Sequence, residues 1–208
     1  PYDFTRKRLS VVVMAGGGEE SPELITKGAL NSVLAACKPL DEPTKASVGQ
    51  LYQERSAQGY RVLGVAAKAV PRKPAYSHED EDDLTFAGFL LFFDPPKPGV
   101  IETVTDLTQL GVSLKIITGD NQLVAQHTAT TIGLPVSGVI TGAELQTISD
   151  DALPVLAEQT NLFAEVDPNQ KERIIRALQK RSHVVSYMGD GINDAPSLHA
   201  ADVGISVD

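Results

Sequence analysis

The segment VVSYMGDGINDAPSLHAADVGIS, residues 184–206, holds the groups best suited to chemistry. An apolar run ends on Gly189-Asp190, and Asp194 follows four residues later. Two carboxylates in one turn suit a hard cation, because Mg²⁺ is usually held by one or two carboxylates with substrate phosphates completing the set. Asp190 and Asp194 are the candidate ligands, and Asn193 is placed to donate to a phosphate oxygen or to orient Asp194. A Gly-Asp turn followed by a helix N-cap would account for GDG alone, since Asp and Asn cap well. The longer GDGIND after an apolar run points to a metal–phosphate site.

Other positions fit the same chemistry. TGD at 118–120 also follows an apolar run. Gly119 allows close approach to the backbone, the Thr118 hydroxyl can donate, and the start of the following helix favours an anion. Taken alone, this too is a capped turn. Asp120 and Asp190 read as ligand or metal groups. Lys171 lies in VDPNQKERII, at a helix start marked by Asp167-Pro168. Beside a phosphate it would neutralise transferring charge; in isolation it is a surface lysine. Lys27 precedes Gly28, which frees the backbone for a ligand, and Arg61 opens an apolar strand; each alone reads as a solvated charge.

A carboxylate nucleophile is the missing part. Asp94 ends the apolar run FAGFLLFFD, but Pro95 and Pro96 follow it. Neither has an N–H to hold a phosphate oxygen, so Asp94 is rejected and the double proline reads as a stiff hinge. The nucleophile is expected outside these residues.

The elements that position these groups fall into two modules. Residues 1–85 read as a strand at 9–14, a strand at 24–28, a helix through ALNSVLAAC, a helix near 44–58 and a strand at 60–70. PRKPAYSHEDEDD then carries five consecutive acidic residues, Glu79 to Asp83, read as a solvated loop. Residues 86–208 repeat one unit, in which FAGFLLFFD, GVSLKIITGD and HVVSYMGD each lead into a helix-like stretch. Short strands also fit 138–140 and 202–206. This alternation predicts an α/β fold, a parallel sheet with helices on both faces and ligands at the carboxyl ends of the strands.

Composition sets the outer bounds. The 208 residues carry a net charge of −9, which argues against a nucleic-acid partner. A single cysteine, Cys37, excludes an internal disulfide and fits a reducing compartment. No apolar run approaches membrane-span length, and no signal peptide is evident, so a soluble chain is expected. The abrupt start on Pro1 and the end at a strand read as a segment of a longer protein.

Five motifs in order, KGA at Lys27, DPP at Asp94, TGD at Thr118, DPNQK at Lys171 and GDGINDAPSL from Gly189, resemble those of the P-type cation-transporting ATPases. The wording of PYDFTRKRLSVVV, LLFFDPPKP and the last segment looks most like the bacterial magnesium-transporting branch, with proton and calcium pumps as alternatives. The resemblance implies an α+β nucleotide-binding domain with an antiparallel sheet, residues 1–85. It is followed by a phosphorylation domain, residues 86–208, of the haloacid dehalogenase-like (Rossmann-like) fold. By the same resemblance, Lys27 lines the ATP pocket beside Gly28, Arg61 lies near the nucleotide phosphates, and Asp94 contacts the nucleotide. Tyr2 takes the place of the adenine-stacking aromatic and Lys7 that of a pocket lysine. Thr118, Gly119 and Lys171 contact the transferred phosphate, and Asp190 holds Mg²⁺ with Asn193 and Asp194 in support.

The sequence also departs from the family. Tyr2 stands where Phe is usual, Lys97 replaces an arginine, and the DKTGT and TGE motifs are missing, so the phosphorylation domain lacks its first strand. The implied activity is ATP hydrolysis through an aspartyl-phosphate, coupled to cation transport, Mg²⁺ being the expected cation. It would take place at the cytoplasmic face of the bacterial inner membrane, with actuator and transmembrane domains of the same chain as partners and these residues inactive by themselves. A stand-alone dehalogenase-like phosphatase and a non-catalytic nucleotide-binding module are the competing readings.

Overall fold

The structure is a computed structural model and describes residues 6–14, 21–190 and 194–207. By backbone contacts the chain forms two compact units, one of residues 1–56 and 60–94 and the other of 57–59 and 95–208. The division falls at Asp94/Pro95, nine residues past the expected 85/86 boundary.

The first unit is built on four antiparallel strands in the order β1-β2-β3-β4: β1 Arg8–Val13, β2 Glu23–Ala29, β3 Arg61–Ala69 and β4 Thr85–Phe92. Between β2 and β3 run helices α1 Leu30–Leu34 and α2 Glu42–Ala57. Strand alternation decides the faces. Leu24, Thr26 and Gly28 of β2 and Val62, Gly64 and Ala66 of β3 turn inward. Leu24 and Ala66 join Val33, Ala36, Val70 and Leu84 in one core. FAGFLLFFD was expected to belong to the parallel sheet, but β4 pairs antiparallel with β3, Arg61 opposite Phe92. Its β-rich apolar run serves either sheet, and only the partner strand decides.

The second unit contains α3 Val100–Gln109, β5 Ile116–Ile117, α4 Gln122–Thr131, β6 Val139–Thr141, α5 Gly142–Thr147, α6 Leu153–Gln159, β7 Leu162–Ala164, α7 Pro168–Lys180, β8 Ser186–Gly189, α8 Ala195–Ala200 and β9 Val203–Ser206. Its strands are parallel, ordered β5-β7-β6 in one sheet and β8-β9 in another. Sequence patterning missed β7, the central strand of the first sheet. At three residues, all buried, it is too short to show a period. Phe163, Ile174, Ala177 and Leu178 pack with Leu145, Leu153 and Ala157 beneath the sheet. Among the described residues no helix is long and apolar enough to cross a membrane.

The acidic run corrects a second expectation. Glu81 is only 7% exposed. Its carboxylate accepts from Arg6, from Arg8 Nε at 2.9 Å and from Ser10 Oγ at 2.8 Å. Asp80 pairs with Lys73, and Asp82 with Lys68. Three of the five acids are thus tied to basic side chains. The charge run hides one structural anion.

Candidate functional site

In the second unit, local capping sets the start of the helix that carries Lys171. Asp167 caps α7 by accepting from Gln170 N at 2.9 Å, Gln170 returns the bond to Asp167 N, and Pro168 occupies the first turn. Such a capping box fixes where a helix starts. It sets Lys171 in the first turn of α7, while Ile174, Ile175, Ala177 and Leu178 on the buried side hold the helix down.

Lys171 Nζ reaches across to Asp194, just after β8, and donates to Oδ1 at 2.6 Å. The two side chains are 14% and 13% exposed, so water screens the pair weakly. Burial acts against the ammonium, but the bonds and charges of Asp194 and Tyr187 outweigh it and raise the Lys171 pKa above the usual lysine value. The Asp194 carboxylate lies over Gly189, where any Cβ would collide with it. Asp190 follows directly, exposed at the end of β8.

The TGD turn is clamped to the end of β7. Thr118 N donates to Phe163 O at 2.9 Å, Val166 N to Thr118 O at 3.1 Å, and Glu165 N to Asp120 O at 2.9 Å. Thr118 Oγ1 accepts from Asp120 N at 3.1 Å. Glu165 adopts a positive φ of 59°. The helix start after this turn was expected to attract an anion. Here Asn121 Oδ1 accepts from Leu123 N at 2.8 Å, and Glu165 Oε1 accepts from Gln122 N at 3.2 Å. The chain's own oxygens fill that place. No sequence signal marked Glu165, because its role depends on the unforeseen strand β7.

In the first unit, Lys27 and Arg61 lie on the outward face of the antiparallel sheet, with Leu63 and Val65 of β3 between them and Lys27 paired opposite Val65. Lys7 precedes β1 with φ 51°, and its carbonyl accepts from Ala29 N at 3.0 Å. Gly28 is buried; a Cβ there would strike Lys7 O and the Arg8 backbone. The lack of a side chain serves this close strand approach. Asp94 is exposed just beyond β4. Tyr2 and Asn193 lie outside the described residues.

Among the described residues no group of three or more His, Cys, Asp or Glu side chains gathers as a metal site. Asp190, exposed at the end of β8, is one carboxylate, and a Mg²⁺ ion held by one carboxylate would draw its other ligands from water and phosphate. Lys171 already engages Asp194 Oδ1, which suits Asp194 better to holding the lysine. A cavity of about 240 Å³ beside Arg173, Arg176 and Lys180 involves none of the candidate residues.

Residues 20–202 match the family of haloacid dehalogenase-like hydrolases. The chain belongs to that family. As a haloacid dehalogenase-like chain it combines the expected α/β parallel sheets with a preceding antiparallel unit. It is 42% identical, over its full length, to "Magnesium-transporting ATPase, P-type 1" of Escherichia coli (strain K12). It is 43% identical to the protein so named from Salmonella typhimurium (strain 14028s / SGSC 2262). "Calcium-transporting ATPase 1" of Saccharomyces cerevisiae (strain ATCC 204508 / S288c) is 38% identical over the whole chain. The chain spans about a quarter of the length of these relatives, 24%, 24% and 23%. The resemblance to P-type ATPases therefore extends over every part of the chain, through relatives named for either of two cations.

Proposed function

We propose that these residues form the ATP-binding and phosphoryl-transfer portion of a P-type ATPase, which couples ATP hydrolysis through an aspartyl-phosphate to transport of a cation, Mg²⁺. The antiparallel unit takes the nucleotide and the parallel unit the phosphoryl group. The observation that carries the reading is the half-buried Lys171–Asp194 pair at the strand ends beside Asp190. A phosphoryl site needs both signs of charge in place, and this pair sets an ammonium and a carboxylate beside Asp190.

In this reading Lys27 and Arg61 hold the nucleotide on the outward sheet face, Gly28 keeps β1 and β2 close, and Lys7, Tyr2 and Asp94 complete the contacts. Thr118 and Gly119 orient the transferring phosphoryl group, and Lys171 offsets its charge. Asp190 would hold Mg²⁺, with Asp194 and Asn193 in support, and the ion would neutralise charge on the phosphate; Asp120 supports the TGD turn. The acceptor Asp lies on a strand outside these residues. Actuator and transmembrane domains supply the rest, and the site works at the cytoplasmic face of the bacterial inner membrane.

The test is acid-stable phosphoenzyme formation from ATP in the full-length protein. Asp190→Asn should abolish it. Hydrolysis of p-nitrophenyl phosphate by the 208 residues alone would overturn the reading in favour of a stand-alone phosphatase.

A further inference from the structure

Glu81 follows the single turn of 3-10 helix His78–Asp80 in the first unit, and its place is fixed from its own side of the chain. Its N–H donates to His78 O at 3.1 Å, and three residues later the buried Leu84 donates to Ala36 O at 3.0 Å. From this post the carboxylate gathers the chain on both sides of Lys7. Oε2 accepts from Arg6 and from Arg8 Nε at 2.9 Å. Oε1 accepts from Ser10 Oγ at 2.8 Å, and that hydroxyl lies 2.8 Å from Thr26 Oγ1, the buried residue immediately before Lys27. Arg8 Nη1 also donates to Ser32 O in α1 at 2.9 Å. Between the two arginines Lys7 is exposed, with φ 51°. Such a conformation is strained for a residue with a side chain and persists where its surroundings hold it.

We propose that Glu81 is a positioning residue of the nucleotide site: by holding Arg6 and Arg8 it sets the backbone of Lys7, so that the Lys7 ammonium meets the nucleotide together with Lys27. This rests on the nucleotide-binding reading of the antiparallel unit above. A lysine carries its charge on a flexible four-carbon stem. Fixing the root of that stem narrows what the ammonium must search and lowers the ordering cost of binding. The root is fixed on three sides. Arg6 and Arg8 are tied to one carboxylate, and the Lys7 carbonyl accepts from Ala29 N at 3.0 Å, two residues beyond Lys27. The Ser10–Thr26 contact joins the same carboxylate to the strand that carries Lys27. The neighbouring acids do nothing of the kind: Asp80 pairs with Lys73 and Asp82 with Lys68, lysines that have no part in the nucleotide reading.

The test is ATP affinity of the full-length protein by calorimetric titration, at a temperature below the melting of every variant. Lys7→Ala should weaken binding roughly 10-fold and Glu81→Gln roughly 5-fold. The double variant should bind no more weakly than Lys7→Ala alone, because Glu81 acts only through that lysine. Arg6→Gln removes one of the two ties and leaves Glu81 paired with Arg8, so it carries the test if Glu81→Gln does not fold. Its loss should likewise vanish in the Lys7→Ala background. Asp82→Asn, which breaks an ion pair of the same loop, should bind ATP as the wild type does. Wild-type affinity in both Glu81→Gln and Arg6→Gln would overturn the inference. So would losses that add to that of Lys7→Ala, an equal loss in Asp82→Asn, or wild-type affinity in Lys7→Ala. If Lys7→Ala and Lys27→Ala both bind ATP normally, the nucleotide reading itself fails; if both weaken binding while Glu81→Gln and Arg6→Gln do not, only the role of Glu81 fails.

Discussion

Lys171 on α7 and Asp194 after β8, 23 residues apart, meet in a 2.6 Å ion pair that is nearly closed to solvent. A lysine at the start of a helix faces the positive end of the helix dipole, so this placement needs the carboxylate. Lys171→Ala and Asp194→Ala should each destabilise the second unit by about 2 kcal/mol, and the double variant should lose less than the sum. Urea unfolding of the four proteins measures the coupling. The raised pKa of Lys171 sets the pH window. A raised group contributes fully below its unfolded value and loses its contribution as pH climbs through the folded one. The coupling should thus hold steady from about pH 6 to 9 and fade only beyond the ordinary lysine range. Zero coupling at neutral pH would show that the pair is a surface contact.

Glu81 should dominate the acid side of the first unit. Burial raises its pKa, but the bonds from Ser10, Arg8 and Arg6 lower it further than burial raises it. A lowered carboxylate contributes above its unfolded value, and that stability disappears as pH falls through the folded value. Glu81→Gln should cost about 2 kcal/mol at neutral pH and flatten the loss of stability below about pH 4. Denaturant titrations of both proteins between acid and neutral pH check this.

Two glycine substitutions should act in opposite directions. Gly28→Ala drives a Cβ into the Lys7 carbonyl and the Arg8 backbone, which cannot rotate away. Thermal melts should show a loss of about 1–3 kcal/mol. Gly49, inside α2, has nothing near its Cβ position. Gly49→Ala should stabilise by about 0.5–1 kcal/mol through helix propensity alone.

Lys27 is exposed on the outward sheet face, so its removal tests binding without disturbing the core. Calorimetric titration of the full-length protein with ATP should show roughly 10-fold weaker binding in Lys27→Ala, the loss of one charged contact to phosphate. The melting temperature without nucleotide should not move. Unchanged affinity would remove Lys27 and its sheet face from the nucleotide site.

The groups of the parallel unit were legible because their signals are local. Asp167-Pro168 with Gln170 announces a helix start, and an apolar run ending in Gly-Asp announces a strand end. Glu165 and Glu81 were not legible. Glu165 acts through a three-residue strand with no period, and Glu81 sat inside a charge run whose average hid its burial.

By itself the amino-acid order determined where the capped helix α7 begins and that alternating strands and helices would form a parallel unit. Tertiary structure decided the company each group keeps. It moved β4 into the antiparallel sheet, inserted β7 at the centre of the other, filled the start of α4 with Glu165, and joined Lys171 to Asp194. The physical reason is range. Caps and turns depend on residues three or four apart, whereas strand partners and buried ion pairs depend on which surfaces the folded chain must close against water.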